Sequence, residues 1–262
     1  MTPLDTAHAA MLADPDDDAA RLRYYRTLAD AELFLLLEDE PVGDSLSPRV
    51  FPLEDGPVVL AFDTEERMAD FTGVPVPYAA LPGRVIVSQL AGQATGLGLN
   101  LGSPESAWLM GPHAIDWLSG VLDQAPAEAR GRPVAVHAPG ELEPELAEAL
   151  AVAVSGAGGL AVAAVLAQAA WADGTRGLLL AWLGADAGAE AALARALSEA
   201  LAFSGLDQAS VDMVFLSPDD PAARQILSLG QPLALPEPPA APPERAPPAP
   251  PGMDPARPPR LR

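Results

Sequence analysis

The residues able to do chemistry in this chain are few and scattered. Of 262 residues none is Cys and none is Lys; all 15 basic residues are Arg, set against 36 acids and three His. Without Cys there is no thiolate nucleophile, zinc ribbon or iron–sulfur ligation, and without Lys no Schiff base and no P-loop lysine. Asp14, Asp16 and Asp18 match the first three oxygen ligands of a calcium loop. Such a loop needs Gly where Ala19 stands and a bidentate Glu where Tyr25 stands, so these acids read as helix-start charges. Gly96, Gly98 and Gly102 form GxGxxxG, one residue longer than the dinucleotide fingerprint, and Ser103-Pro104 interrupts the helix that should follow. Close backbone approach in a turn is the reading. His8, His113 and His137 fall on a helix, a helix start and a strand end, with no HExxH spacing. His113 stands three residues before Asp116, which suits a general base and equally a surface pair. No Ser occupies a GxSxG turn, and Ser103 lacks a recognisable base. No catalytic, cofactor-binding or metal-ligating residue is assigned, and no cofactor is expected.

The elements that must position these residues follow from periodicity. Thr2-Pro3 caps a helix carrying Leu4, His8, Met11 and Leu12, and Asp16 to Asp18 precede a second with Leu22, Tyr25 and Leu28 or Ala29 on one face. Glu32–Glu38 and Val58–Phe62 are strand-length apolar runs, and Asp63-Thr64-Glu65-Glu66 opens a helix that Gly73 ends. Arg84–Gln93 leans to helix despite Val85-Ile86-Val87; Gly96–Leu99 reads as a strand, Asn100–Pro104 as a turn, and Pro112 opens a helix. In the second half come a strand at Pro133–His137, a helix through Leu142, Leu146, Leu150 and Val154, and a strand at Leu160–Trp171. A hairpin at Asp173-Gly174 joins it to Gly177–Leu183; a helix through Leu193, Leu197 and Leu201 and a strand at Val211–Leu216 complete the set. The fold class expected is α/β in the α+β sense: two consecutive small α+β domains, the second a ferredoxin-like βαββαβ with an antiparallel sheet and two helices on one face. The divisions are 1–123, a linker at 124–131, 132–231, and a disordered Pro-rich tail at 232–262.

The tail holds 13 of the 30 Pro, and in it Arg245 to Pro251 matches RxxPxxP, a polyproline-ligand pattern that a proline-dense spacer also produces by composition. Residues 1–231 carry 33 acids and 11 Arg, a net charge of −22, so the acidity belongs to the folded body. No basic stripe is present, which argues against nucleic acid as a partner. The 24 uncharged residues Ala149–Ala172 contain a Gly-rich break, and read as a helix end, turn and buried strand rather than a membrane span. No signal peptide is visible, and cytoplasmic residence is the default expectation.

Three segments carry a family resemblance: Asp16–Leu28 with its RYYRTL, the passage Phe62–Arg67, and Gly96–Pro104. Together they resemble the N-terminal domain of SseB proteins, a family named for enhanced serine sensitivity, and the second half is similar to its C-terminal domain in length and order. Leu101 stands where the family has Pro in an Asn-Pro-Gly-Ser turn. The resemblance implies no catalytic residue and no cofactor. The expectation is a non-enzymatic, cytoplasmic interaction or regulatory protein whose partner is another protein, with Asn100, Gly102 and Ser103 as the contact turn. The alternative is a binder of, or enzyme acting on, an amino acid or related metabolite, with Arg84 and His113, beside Asn100 and Ser103, as its ligand contacts.

Overall fold

The computed structural model describes residues 1–238 except 42, 44, 55, 125–130, 132 and 207–209. The first domain runs α1 (Pro3–Ala13), α2 (Asp18–Asp30), β1 (Glu32–Leu36), β2 (Val50–Leu53), β3 (Gly56–Phe62), α3 (Glu65–Thr72), β4 (Tyr78–Pro82), α4 (Gly83–Leu90), β5 (Gly96–Leu99), β6 (Trp108–Met110) and α5 (Pro112–Leu122). Side-chain caps form at the expected helix starts. The Thr2 hydroxyl accepts from the Asp5 N–H while the Asp5 carboxylate accepts from the Thr2 N–H; the Asp17 carboxylate accepts from Ala20 and the Thr64 hydroxyl from Arg67.

The sheet order is β4-β1-β3-β5-β6, with β2 also on β3, and β3 and β5 are its parallel pair. Its two faces differ. One packs Leu33, Leu35, Val59, Ala61, Leu97 and Leu99 against α1, α2, α4 and α5. The other carries Leu36, Val58, Leu60 and Phe62, covered by Met68 of the eight-residue α3. On this outer face a side chain at Gly98 has no room: a Cβ would meet Leu60 at 2.7 Å and Leu101 at 2.9 Å. The glycine run is thus close packing, as its spacing suggests.

The second domain runs β7 (Ala135–His137), α6 (Pro144–Ser155), β8 (Ala163–Ala170), β9 (Arg176–Leu183), α7 (Glu190–Ala202), β10 (Val211–Leu216), α8 (Pro221–Leu229) and β11 (Gln231–Leu233). The Asp173-Gly174 turn joins β8 and β9 as expected, with Gly174 at φ +86°. The ferredoxin-like arrangement is not found. The order is β10-β9-β8-β11 with β7 also on β8, and β9 and β10 are parallel. The physical reason lies in β8, whose eight residues leave one edge long enough for two short strands in series: β7 opposite Gln168–Ala170 and β11 opposite Ala164–Leu166. Helices also flank both faces. α6 and α7 cover Leu166, Leu180 and Trp182, while Ala223 and Ile226 of α8 lie with Val165, Leu179 and Ala181.

The expected tail boundary at 231/232 also moves. Pro232 and Leu233 belong to β11, Leu233 and Leu235 pack on the second core, and Pro238 lies against Gly159. Proline composition hid this because an edge strand tolerates a residue without an N–H. Residues 239–262, including the Arg245–Pro251 pattern, and most of the expected linker lie outside the described residues. No helix among those described is long and apolar enough to cross a membrane.

The domains are joined by more than the chain. Phe203, at the end of α7, is 3% exposed and sits in the first domain's core cluster with Tyr24, Leu28 and Leu118. Replacing Phe203 with Ala is expected to cost about 3–5 kcal/mol in urea unfolding at neutral pH. A loss below about 1 kcal/mol would show that the side chain is not part of that core.

Candidate functional site

Asp63 and Asn100 follow the C-terminal ends of the parallel strands β3 and β5, where open α/β sheets leave a crevice for ligands. Here the chain fills it. Asp63, its side chain 4% exposed, accepts from the Thr2 hydroxyl at 2.5 Å and from the Arg67 guanidinium at 2.6 Å. Arg67 also donates to Asp5 at 2.9 Å, and the Asp63 N–H donates to Asn100 Oδ1 at 3.0 Å. Burial works against the Asp5 carboxylate, but the Arg67 and Thr2 hydrogen bonds win and hold its pKa below 3.8. The two carboxylates in turn push Arg67 above its ordinary value.

The expected contact turn divides at this network. Asn100 is fully buried, in left-handed backbone at φ +48°, and its N–H donates to the Ala61 carbonyl. Its side chain positions the turn and faces no solvent. Gly102, at φ +99°, is exposed beside Phe71, and the Ser103 N–H donates to the Asn100 carbonyl. Near this turn, among the described residues, five buried polar atoms lack a protein hydrogen-bond partner: Asp5 Oδ1, His8 Nε2, Asn100 Nδ2, Ser106 Oγ and Trp108 Nε1. His8, 2% exposed, places Nδ1 3.2 Å from the Glu105 carbonyl and its ring against Tyr24 and Trp108.

The other candidates lie elsewhere. Arg84 donates to both carboxylate oxygens of Glu199 at 3.2 and 3.3 Å and to Asp30 at 2.5 Å, joining the domains. Burial opposes the Arg84 cation, yet these bonds leave its pKa above the ordinary value. His113 is exposed, and Asp116 accepts from the Gly92 N–H at 2.8 Å, so no His–Asp pair is assembled. Arg84 and His113 therefore do not share one ligand site with Asn100. Among the described residues no group of three or more His, Asp or Glu is placed to hold a metal ion; Asp17 caps α2 and Asp18 pairs with Arg21.

Sequence reasoning missed the Thr2–Asp5–Arg67–Asp63 network. Its local signals were the Thr2/Asp5 cap spacing of three and the Asp63/Arg67 spacing of four at helix starts; Asp5 is 62 residues from Arg67.

Residues 4–115 match the family model described as SseB protein N-terminal domain. The first domain is SseB-like. The match takes in α1 through the start of α5, hence the whole Asp63 network except Thr2, and it stops before the second domain. No curated protein and no solved structure matches the chain.

Replacing Arg67 with Met leaves two carboxylates unpaired in the SseB-like domain and is expected to cost about 3 kcal/mol at pH 7. A depressed folded pKa gives Asp5 a stabilising role that is complete above about pH 5 and fades as pH falls through the folded value. In the Met variant only the Thr2 hydrogen bonds oppose burial at Asp5, so its acid-linked loss of stability is smaller and the gap between the two proteins should narrow as pH falls. Urea titrations at pH 7, 5, 4 and 3 test this, and parallel pH profiles for the two proteins would contradict it.

Proposed function

We propose that the protein acts without catalysis, by binding another protein through the outer face of the first sheet. The observation that supports this reading is an apolar face with too little cover. Beside the buried Leu36, Leu60 and Phe62, it leaves Leu53, Phe71, Tyr78 and Leu109 between 38% and 46% exposed and Phe34 and Phe51 half-buried. The register puts these on one side: Leu109 opposite Gly98, Gly98 opposite Leu60, Tyr78 opposite Leu36, and Phe51 opposite Val58. A rimmed apolar patch of this kind marks an interaction surface. Its rim is acidic, with Glu54, Glu65, Glu66 and Asp70 exposed, so the fitting partner presents an apolar ridge flanked by Arg or Lys.

Gly102 lies beside Phe71 at the margin of this face, and the reading keeps it, with the adjoining Ser103, as part of the contact surface. The same reading takes the second domain as an SseB-type C-terminal domain, on the order of its elements, and the protein as cytoplasmic.

Leu109→Glu and Leu53→Glu add charge at exposed positions and should leave the fold intact. Affinity purification from native extract is expected to recover a discrete protein with the wild-type chain. Recovery should fall at least about tenfold with either variant, and rising salt should weaken retention as it screens the rim. Equal recovery with wild type and both variants would count against the reading, as would a face that mediates only self-association in analytical ultracentrifugation.

A further inference from the structure

On the helical side of the first sheet, away from the outer face, a cleft of about 690 Å³ opens between the domains. Its walls come from the start of α1, the C-terminal half of α2 and the exposed side of α6, with Leu4 and Val152 as apolar lining. The volume is that of a small-molecule site.

Three charged groups in it are not spent on the fold. Arg26 is 23% exposed at its side chain, makes no hydrogen bond among the described residues, and approaches one carboxylate, Asp30, at 3.8 Å. Asp30 is already engaged at shorter range by Arg84. Burial holds the Arg26 cation below its ordinary pKa, more strongly than Asp30 and Glu199 raise it. A guanidinium with five donors, partly desolvated and loosely paired, is a seat for a carboxylate. Glu32, at the start of β1, and Glu148, on α6, line the same cleft from the two domains. No Arg or His lies within 4 Å of either among the described residues.

We infer that this cleft binds a small zwitterion of net positive charge, from a basic amino acid to a short basic peptide, with its carboxylate on Arg26 and its cationic groups on Glu32 and Glu148. A purely anionic ligand is disfavoured, because Arg23 and Arg26 face four lining acids, Asp30, Glu32, Asp63 and Glu148. The body's net charge of −22 over residues 1–231 draws cations toward the cleft. Since Glu32 and Glu148 belong to different domains, such a ligand bridges them.

The test is isothermal titration calorimetry on the full chain with L-arginine, L-lysyl-L-lysine and L-glutamyl-L-glutamate. Saturable binding of at least one of the two basic probes is expected, with the acidic dipeptide at least about tenfold weaker. Glu148→Gln removes one carboxylate, and Val152→Trp fills the cleft from an exposed helix face; each should weaken the basic probe at least about tenfold. Arg26→Gln should do the same, and the two α6 variants carry the test if it fails to fold. No heat with either basic probe, comparable affinity for the acidic dipeptide, or unchanged affinity in both α6 variants would overturn the inference.

Discussion

The first domain is organised around one buried carboxylate. Asp63 stands where the parallel strands β3 and β5 end, and its oxygens take the Thr2 hydroxyl and the Arg67 guanidinium while its own N–H reaches Asn100. Three segments distant in sequence are thereby fixed: the start of α1, the first turn of α3 and the turn after β5. A carboxylate 4% exposed is costly unless every neighbour compensates it, so α1 must close over the strand ends and α3 must begin where it does. The crevice that an open sheet offers to ligands is filled by the chain's own N-terminal helix.

Closing that crevice leaves the proposed recognition surfaces elsewhere. With α1 and α2 drawn to one side of the sheet, α3 is the one helix on the other side among the described residues, and part of an apolar face remains exposed. Arginine use follows the same economy. In an acidic body with 11 Arg in its first 231 residues, Arg67 is spent on the strand ends and Arg84 on the join to α7. Arg26, beside that join, is left loosely paired at the wall of the interdomain cleft. Phe203 reinforces the join, so the cleft lies between domains that share a core residue.

Much of this organisation is legible in local sequence. Thr2-Pro3, Asp17 and Thr64 act as caps because capping depends on residues within one turn, and the Asp173-Gly174 hairpin depends on a single left-handed glycine. The amphipathic spacing of Ile86 and Leu90 outweighs the β-branched run beside it, and α4 forms. The short strands β2, β4, β6 and β11 escape local reading because their pairing depends on a distant edge. The parallel pairing of β9 and β10 also needs the fold, as does the sharing of the β8 edge by β7 and β11. Of the candidate site, Asn100 was legible as a turn residue but its burial was not, and the Arg84–Glu199 contact spans 115 positions that no local pattern connects.

The proposed function rests on the outer face meeting a partner. A photo-crosslinking side chain placed at Leu109, on the open face, and at Val162, still more exposed and on the second domain, separates the possibilities in native extract. A single discrete adduct from position 109, with none from position 162, is the expected result. Adducts from position 162 alone, or the same adducts from both, would contradict a partner-binding role for the outer face.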